Sequence, residues 1–174
     1  MEIKDFGIVL RLAEIEDAGF ILELRNDLKK SRFISVTSGD LSVQVEWLEK
    51  YKQREKRKEE FYFIALDEDG NKFATYRVYN IGPDTVEIGS WISSPSLKNP
   101  INSIKVDFLV KRFIFDTLNY KKLNFEVRKK NKSVINYHKK YNPQIIKQDD
   151  LNIYFELTKE SFQETKNRFE KLFQ

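Results

Sequence analysis

A segment with the order strand, helix, strand constrains the fold of this chain most strongly. Residues 85–92 (TVEIGSWI) and 123–128 (LNFEVR) have the composition of strands, and residues 101–118 between them have the apolar spacing of a long helix. We expect the two strands to be parallel neighbours, because a helical crossover returns the chain to the same end of the sheet. The polar loop at residues 93–100 leads into the helix, where free backbone N–H groups and the helix dipole favour an anion. The segment therefore predicts a parallel strand pair with an anion-binding loop at one end.

Hydrophobic periodicity predicts the remaining elements. Helices are expected at residues 14–30, at 43–58 and from Thr158 onward, and strands at residues 7–12, 60–66, 72–81, 145–146 and 151–157. The strands 60–66 and 72–81 form a hairpin, since the sequence DEDGN between them is typical of a turn. We expect residues 1–174 to form one domain of the α/β class, with a mixed, twisted seven-stranded sheet flanked by helices.

The composition removes several classes of function. The chain has no cysteine and one histidine, His138, which excludes disulfides and cysteine nucleophiles and argues against a metal site. The net charge of +4 is mild and suits an anionic ligand. Acidic residues interrupt the basic run at residues 50–58, as in a solvated helix end, so no nucleic-acid partner is expected. Since the sequence shows no apolar signal core and no run of membrane-spanning length, we expect a cytoplasmic protein without a membrane partner.

Three segments resemble the GNAT superfamily of N-acetyltransferases. The hairpin at residues 62–81 resembles its central strands, and residues 87–92 (EIGSWI) resemble its fourth strand. Residues 125–141 (FEVRKKNKSVINYHKKY) resemble its fifth strand and the helix that follows. The likeness in the order of elements extends over residues 7–157. It implies a GNAT-like fold whose fourth and fifth strands are parallel and splay apart at one end, and it implies acetyl-CoA as the acetyl donor.

The end of the third segment carries a narrower resemblance. His138-Lys139-Lys140 is most similar to a branch of the family that acetylates amino sugars on nucleotide carriers. This resemblance implies a small-molecule primary amine as acceptor, borne by a nucleotide-linked sugar, and a monomer or homodimer. A protein N-terminus, a polyamine or an aminoglycoside also presents an amine, and composition does not choose between these acceptors.

The family's pyrophosphate loop, of the form R/Q-x-x-G-x-G/A, aligns with residues 98–103 (KNPINS), where both glycine positions are replaced. Pro100 also lacks an N–H donor, but we expect the backbone N–H groups of residues 101–104 to be free at the helix start. Asn131 is expected to bind the pantetheine arm, and it also suits the N-cap of its helix. The full set of cofactor-binding residues that the resemblance implies is Trp91, Ile92, Ser93, Lys98, Asn99, Ile101, Asn102, Ser103, Ile104, Asn131, Val134 and Lys140.

Amide formation from a thioester needs a base for the amine, an acid for the thiolate and donors near the carbonyl. Glu87 is the candidate base, because it lies in the strand that the cofactor is expected to flank. His138 takes the place where many relatives carry a tyrosine acid, and its ordinary pKa suits proton transfer near neutrality. Tyr137 beside it is the second candidate for the acid. Each of these residues also has a plain structural interpretation, as a surface or ion-paired side chain.

Candidates for the acceptor side are Arg25, Asn26, Trp47, Tyr76 and Arg77. Packing and surface charge are the alternative roles for all five. The arginines suit a substrate phosphate, because a guanidinium binds phosphate through two parallel hydrogen bonds. The replaced glycines also leave open a second function, a non-catalytic acyl-CoA or nucleotide-binding module.

Overall fold

A single mixed sheet forms the centre of the protein. The computed structural model describes residues 1–27, 32–33 and 38–174. In this part of the chain the strands are β1 (Glu2–Asp5), β2 (Ile8–Leu12), β3 (Phe61–Leu66), β4 (Lys72–Tyr79), β5 (Thr85–Ser93), β6 (Lys122–Arg128), β7 (Gln144–Gln148) and β8 (Asn152–Thr158). Their order across the sheet is β1-β2-β3-β4-β5-β6-β8-β7. Neighbouring strands are antiparallel except β5 and β6, which are parallel.

Helices connect and cover these strands. They are α1 (Ala18–Asn26), α2 (Leu41–Lys56), α3 (Ile101–Arg112), α4 (Lys132–His138) and α5 (Lys159–Phe173), with 3₁₀ turns at Ile15–Asp17 and Lys139–Tyr141 and a π-helical turn at Phe113–Thr117. The hydroxyl of Thr158 caps α5 by accepting a hydrogen bond from the backbone N–H of Ser161 (3.2 Å).

The predicted α/β class and mixed sheet are confirmed, with differences at the ends of elements. The sheet has eight described strands rather than seven, because the charged segment Glu2–Asp5 pairs with β2 as an additional edge strand. The family's fourth and fifth strands are therefore β5 and β6 here. The first predicted helix ends at Asn26 as α1, and its last predicted residues, 28–30, lie outside the described residues.

The strands direct alternate side chains to two layers of helices. Along β3, Phe61, Phe63 and Ala65 belong to the main core, which α3 and α5 cover. Tyr62 and Ile64 point the other way, into a smaller core beneath α1 and α2. We call these two sides of the sheet the α3 face and the α1 face.

The parallel pair of strands separates after three residues. Thr85–Glu87 of β5 pair with Lys122–Asn124 of β6, and the two strands then diverge. β6 remains paired with β8 along its whole length, so the opening lies between β5 and β6. The backbone of β5 from residue 88 to Ser93 therefore has no strand partner on that side. The splayed parallel pair expected from the sequence is confirmed.

A bulge in β5 lies beside this opening. Between the paired positions Gly89 and Ile92, β5 holds one residue more than β4. Ser90 adopts a left-handed φ of 51°, and its carbonyl accepts a hydrogen bond from the hydroxyl of Thr75 (2.9 Å). One extra residue reverses the alternation of a strand. Trp91 therefore packs on the α3 face, against the main core.

Several basic residues near the end of α2 have acidic partners. Lys50 pairs with Glu46 (2.5 Å) and Arg57 with Glu59 (2.7 Å), both at the surface. These local pairs balance the charge of the run, as in a solvated helix end.

Neither a membrane-spanning helix nor a metal-binding cluster is found in residues 1–27, 32–33 and 38–174. No helix there is both long and apolar enough to cross a membrane. The same residues contain no group of three or more histidine, cysteine, aspartate or glutamate side chains that could hold a metal ion.

Candidate active site

The opening between β5 and β6 leads into a cavity of about 460 Å³, a volume typical of small-molecule sites. The predicted residues that line it on the strands are Tyr76, Arg77, Trp91, Ile92 and Ser93. Those that line it from the helical segments are Ser103, Asn131, Val134 and His138. The structure therefore brings together members of all three predicted groups, donor-binding, acceptor-binding and catalytic, around one cavity.

The remaining predicted cofactor residues lie outside this lining. Lys98 and Asn99 are exposed before α3, Ile101, Asn102 and Ile104 are partly exposed in its first turn, and Lys140 is exposed after α4. The cavity reaches α3 through Ser103, whose hydroxyl lies 2.6 Å from that of Ser93. Asn131 is at the N-cap position of α4, but its side chain bonds the hydroxyl of Ser133 (3.2 Å) instead of a backbone N–H.

The prediction that the first backbone N–H groups of α3 are free is wrong. The N–H of Ile101 donates to the side-chain oxygen of Asn99 (3.2 Å). The N–H of Asn102 donates to the carbonyl of Asn99 (3.1 Å), and that of Ser103 to the carbonyl of Pro100 (3.2 Å). Pro100 has helical φ and ψ, so the first turn tightens into bonds between residues three apart, and the short Asn99 side chain caps its own loop. An anion at this turn would have to displace these bonds.

A buried ion pair lies behind the cavity. Asp107 and Lys111, four residues apart on α3, pair with each other and have no exposed side-chain surface. The hydroxyls of Tyr76 and Tyr137 each donate to Asp107 (2.6 Å). Nζ of Lys111 lies 3.3 Å from Nδ1 of His138. The sequence interpretation missed Asp107 and Lys111, although two opposite charges four apart in an apolar helix are a signal that could have found them.

Charge and burial set the pKa values in this cluster. Burial opposes the charge on Asp107, but attraction to Lys111 and the hydrogen bonds from Lys111 and Tyr137 outweigh it, so the pKa of Asp107 is lowered. Burial, together with the nearby charge of Lys111, lowers the pKa of His138 to about 3. His138 is therefore neutral near pH 7, and the expectation that its pKa suits proton transfer near neutrality is wrong. Burial and the charge of Asp107 raise the pKa of Tyr137 well above its ordinary value.

Trp91 lines the cavity and packs against this cluster. Its ring contacts those of Tyr76, Tyr137 and His138, with centroids 5.9, 5.3 and 5.7 Å away. The indole Nε1 is buried and has no hydrogen-bond partner among the described residues. A buried donor without a partner is rare in a native protein, and at a cavity wall it suits a bound ligand that carries acceptors.

The comparison with known families shows the family to which the chain belongs. Residues 8–142 match the family described as the acetyltransferase (GNAT) domain. The chain belongs to the GNAT acetyltransferases. A solved structure described as apo FdhC, a nucleotide-linked sugar GNAT, is 35% identical to it, with a TM-score of 0.89, and the match covers 100% of this chain and 99% of that one. The chain is accordingly an acetyl-CoA-dependent N-acetyltransferase.

More distant GNAT structures share the fold. A spermidine N-acetyltransferase variant from Vibrio cholerae is 15% identical, with a TM-score of 0.74 over 91% of this chain and 97% of that one. A ribosomal-protein-S5-alanine acetyltransferase from Vibrio fischeri is 12% identical, with a TM-score of 0.78 over 93% of this chain and 98% of that one. A search of curated protein sequences returned no match.

Two glutamates of this GNAT domain lie on the strands that border the opening. Glu87, at the last paired position of β5, accepts a hydrogen bond from the side chain of Asn80 (3.0 Å) and is not part of the lining. Glu126 on β6 lines the cavity and is exposed. Both residues are on the α1 face, since Glu87 pairs with Asn124, two residues before Glu126. The sequence interpretation chose Glu87 and missed Glu126.

The predicted acceptor residues of this acetyltransferase divide into two groups. Arg77 lines the cavity, forms a 2.6 Å ion pair with Glu60 and stacks over Trp47 (4.9 Å). Trp47 supports Arg77 from behind and does not reach the cavity lining. Arg25 and Asn26, near the end of α1, are also outside the lining.

Arg128, at the end of β6, lines the cavity and was not selected from the sequence. Among the described residues, no hydrogen bond or ion pair engages its side chain. An arginine without a partner at the edge of a binding cavity is a candidate for an anionic ligand, because the guanidinium binds phosphate and carboxylate groups through two hydrogen bonds.

Proposed function

We propose that this acetyltransferase transfers the acetyl group of acetyl-CoA to the primary amine of a nucleotide-linked amino sugar. The observation that carries this proposal is the 35% identity, over essentially the whole of both chains, to a protein described as a nucleotide-linked sugar GNAT. The spermidine and ribosomal-protein acetyltransferases are 15% and 12% identical, so they support the fold and not the acceptor.

The residues at the opening fit acetyl-CoA. The β5 edge from residue 88 to Ser93 presents backbone N–H and C=O groups without a strand partner, which an extended chain with amide groups can bind as an added strand would. The partnerless Nε1 of Trp91 supplies a further donor. Asn131 and Val134 line the far side of the cavity. When bound, acetyl-CoA supplies an acetyl group activated as a thioester.

The pyrophosphate end of the donor is assigned to the start of α3. Lys98 provides an exposed positive charge there, and the side chains of Asn99 and Asn102 provide amides. Because the N–H groups of residues 101–103 are engaged within the loop, side-chain charge contributes more than backbone donors at this end. Ile104 and the exposed Lys140 complete the proposed donor contacts.

The acceptor side carries Arg128, a cation suited to a phosphate, and Arg77, whose charge is already paired with Glu60. Arg128 and Arg77 both line the cavity, and Arg128 has no partner among the described residues. A nucleotide-linked sugar carries two phosphates beside its sugar, whereas spermidine is itself cationic and would be repelled by these side chains. Glu87 and Glu126 lie near the same mouth and are the proposed bases for the amine.

The hydrogen-bond donor to the leaving sulfur is assigned to His138 and not to Tyr137; the neutral ring keeps its proton, and the thiolate takes up a proton from solvent. The hydroxyl of Tyr137 donates to Asp107 and contacts Tyr141, behind the cavity wall. His138 lines the cavity itself. Its neutral ring offers an N–H donor to the departing thiolate, and backbone N–H groups near Trp91 to Ser93 can polarise the acyl carbonyl.

A thiol-release assay tests the proposal. The purified protein is incubated with acetyl-CoA and one amine at a time: nucleotide-linked amino sugars, free amino sugars, spermidine, an aminoglycoside and an alanine-terminated peptide. We expect kcat/KM to be highest for a nucleotide-linked amino sugar, and at least about 100-fold lower for the matching free sugar that lacks the diphosphate. Equal rates with the free sugar, or a preference for spermidine or the peptide, would contradict the proposed acceptor.

A binding measurement separates the enzyme from a non-catalytic acyl-CoA module. Acetyl-CoA should raise the thermal midpoint of the protein, because a ligand that binds the native state stabilises it. Stabilisation by acetyl-CoA without turnover of any amine in the panel would favour the module.

A further inference from the structure

The ion pair between Asp107 and Lys111 is unusual for its position. Both side chains are completely buried in the main core, where an ion pair is costly to desolvate and a well-packed apolar pair is often at least as stable. Stability alone therefore does not explain the pair. The groups that contact the pair indicate a different role. Tyr76, Tyr137 and His138 each contact the pair and also the ring of Trp91, which lines the cavity.

The contact between Lys111 and His138 determines the state of the imidazole. Nζ of Lys111 lies 3.3 Å from Nδ1 of His138 and also bonds Asp107. Burial lowers the pKa of Lys111, and its ion pair with Asp107 opposes this effect. As the ammonium partner of Asp107, Lys111 carries three donors and no acceptor. Nδ1 must therefore accept the hydrogen bond, so a neutral ring carries its proton on Nε2. Among the described residues no side chain or backbone group bonds Nε2, and His138 lines the cavity.

We propose that Asp107 and Lys111 are positioning residues that hold His138 as the neutral Nε2–H tautomer and present this N–H to the cavity. Asp107 orients Lys111, Lys111 fixes Nδ1 as an acceptor, and Nε2–H is left as a donor for the ligand. The ring is held in place by Phe125, with centroids 4.4 Å apart, and by Trp91. The chemical partner in the cavity is an acceptor atom that gains negative charge, such as the sulfur of a thioester as its bond to carbon breaks.

Burial lowers the pKa of His138 most, the charge of Lys111 lowers it further, and the charge of Asp107 raises it. Lys111 and Asp107 on α3 face His138, and Tyr137 precedes it on α4. Tyr76 of β4 and Tyr141 of the following turn complete the same cluster, with Arg168 of α5 acting on Tyr141. Among these groups Lys111 lies nearest and disfavours a second positive charge on the ring.

The single histidine of the chain makes a direct test possible. Protein labelled with ¹⁵N at histidine gives one pair of ring signals in a long-range ¹H–¹⁵N spectrum, without any assignment problem. In the ligand-free protein we expect the Nε2–H tautomer and no protonation between about pH 5 and pH 8. An Nδ1–H tautomer, or titration with a midpoint near the ordinary value of 6.5, would overturn the proposal.

Variants test whether the ion pair between Asp107 and Lys111 fixes the tautomer of His138. Lys111→Met alone leaves Asp107 buried without a counter-ion, which would destabilise the fold. The primary variant is therefore the double substitution Asp107→Asn/Lys111→Met, which removes both charges and nearly keeps the side-chain volumes. We expect a mixture of the two tautomers in it. Tyr141→Phe is the matched control, because it removes a hydroxyl of the same cluster that contacts Tyr137 and not His138; its spectrum should keep the Nε2–H state. An unchanged tautomer in the double variant would show that the pair does not position the ring.

A kinetic cycle links the tautomer to catalysis. Since the charges act through His138, the double variant should lower kcat by about tenfold or more, as expected when a catalytic histidine loses its orienting partner, while KM for acetyl-CoA changes little. In a His138→Phe background the same two substitutions should cause no further loss. Additive losses would instead indicate a structural role. The NMR test depends only on the free protein, so its outcome is independent of the proposed acceptor.

Discussion

Lys111 and His138 are 27 positions apart in the chain, yet Nζ of one lies 3.3 Å from Nδ1 of the other. This contact joins α3, which crosses between the two splayed strands, to α4, which follows the second of them. It places a buried positive charge against the one histidine of the protein at the wall of its cavity. Burial and the charge of Lys111 together keep His138 neutral near pH 7.

Replacing His138 by phenylalanine is expected to lower kcat by ~10²–10⁴-fold, the usual contribution of a group that assists a leaving atom. The dissociation constant of acetyl-CoA should change by no more than a few-fold, because phenylalanine keeps the packing against Phe125 and Trp91. Steady-state kinetics and calorimetric titration measure the two quantities. Tyr137→Phe is the comparison, since its hydroxyl is engaged by Asp107; a larger loss of kcat in Tyr137→Phe than in His138→Phe would reverse the assignment of the donor to the leaving sulfur.

Acid should destabilise the protein through His138. Its pKa is about 3 in the folded protein and 6.5 as its ordinary value, so below pH 6.5 the unfolded chain binds a proton that the folded chain does not. The free energy of unfolding then falls by about 1.4 kcal/mol for each pH unit below 6.5, or about 3 kcal/mol at pH 4.5.

Urea unfolding of the wild type and of His138→Phe from about pH 7 to pH 4.5 isolates this contribution, because the phenylalanine variant lacks it. Burial raises the pKa of Asp17, but hydrogen bonds from Arg11 and neighbouring groups outweigh this and lower it to about 2 from 3.8. Asp17 therefore changes the free energy of unfolding mainly below this pH range. Parallel pH dependences for the two proteins would contradict the assigned state of His138.

Lys98 is expected to bind the pyrophosphate of acetyl-CoA through an exposed charge. Lys98→Ala combined with Asn102→Ala should weaken acetyl-CoA binding by about threefold to tenfold at low salt, and the loss should shrink as ionic strength rises, because exposed charges are screened. Lys50→Ala is the control, since Lys50 is an exposed lysine on α2 that pairs with Glu46. Unchanged affinity in the Lys98 variant would remove this loop from the donor site.

Arg128 is expected to bind a phosphate of the acceptor. Arg128→Gln should raise KM for a nucleotide-linked amino sugar by about tenfold or more, since a two-point contact between guanidinium and phosphate is lost, and should affect the free amino sugar much less. Arg57→Gln, at an exposed arginine paired with Glu59, serves as the charge-matched control. An equal effect of Arg128→Gln on both acceptors would show that the residue does not recognise the phosphate.

The base is tested by comparing two glutamates. Glu87→Gln is expected to depress the rate most at low pH, where the amine is protonated and needs the most help. Glu126→Gln tests the alternative at the cavity lining. Full pH–rate profiles decide between them: the variant with the steeper loss toward acid identifies the base, and profiles within a few-fold of wild type in both would assign deprotonation to solvent.

The sequence by itself determined the order of the elements and the parallel pair. Local spacing carries this information, because a helix repeats every 3.6 residues and a strand every two, and a strand–helix–strand connection permits few arrangements. The resemblance of residues 87–92 and 125–141 to the GNAT family added the splay and five of the lining residues, Trp91, Ile92, Asn131, Val134 and His138. β1 escaped notice because Glu2–Asp5 is a charged edge strand without apolar alternation.

The tertiary structure alone showed that Glu126 and Arg128 also line the cavity, and how the predicted residues come to face it. The bulge at Ser90 needs a left-handed serine held by Thr75, fifteen residues away, and a strand pattern does not show where an extra residue enters. The loop before α3 satisfied its own N–H groups through Asn99. Likewise, the pKa of His138 depends on burial and on Lys111, neither of which is a property of its sequence neighbours. Periodicity specifies which face of an element is buried, whereas the charge state of a buried group depends on what the other elements pack against it.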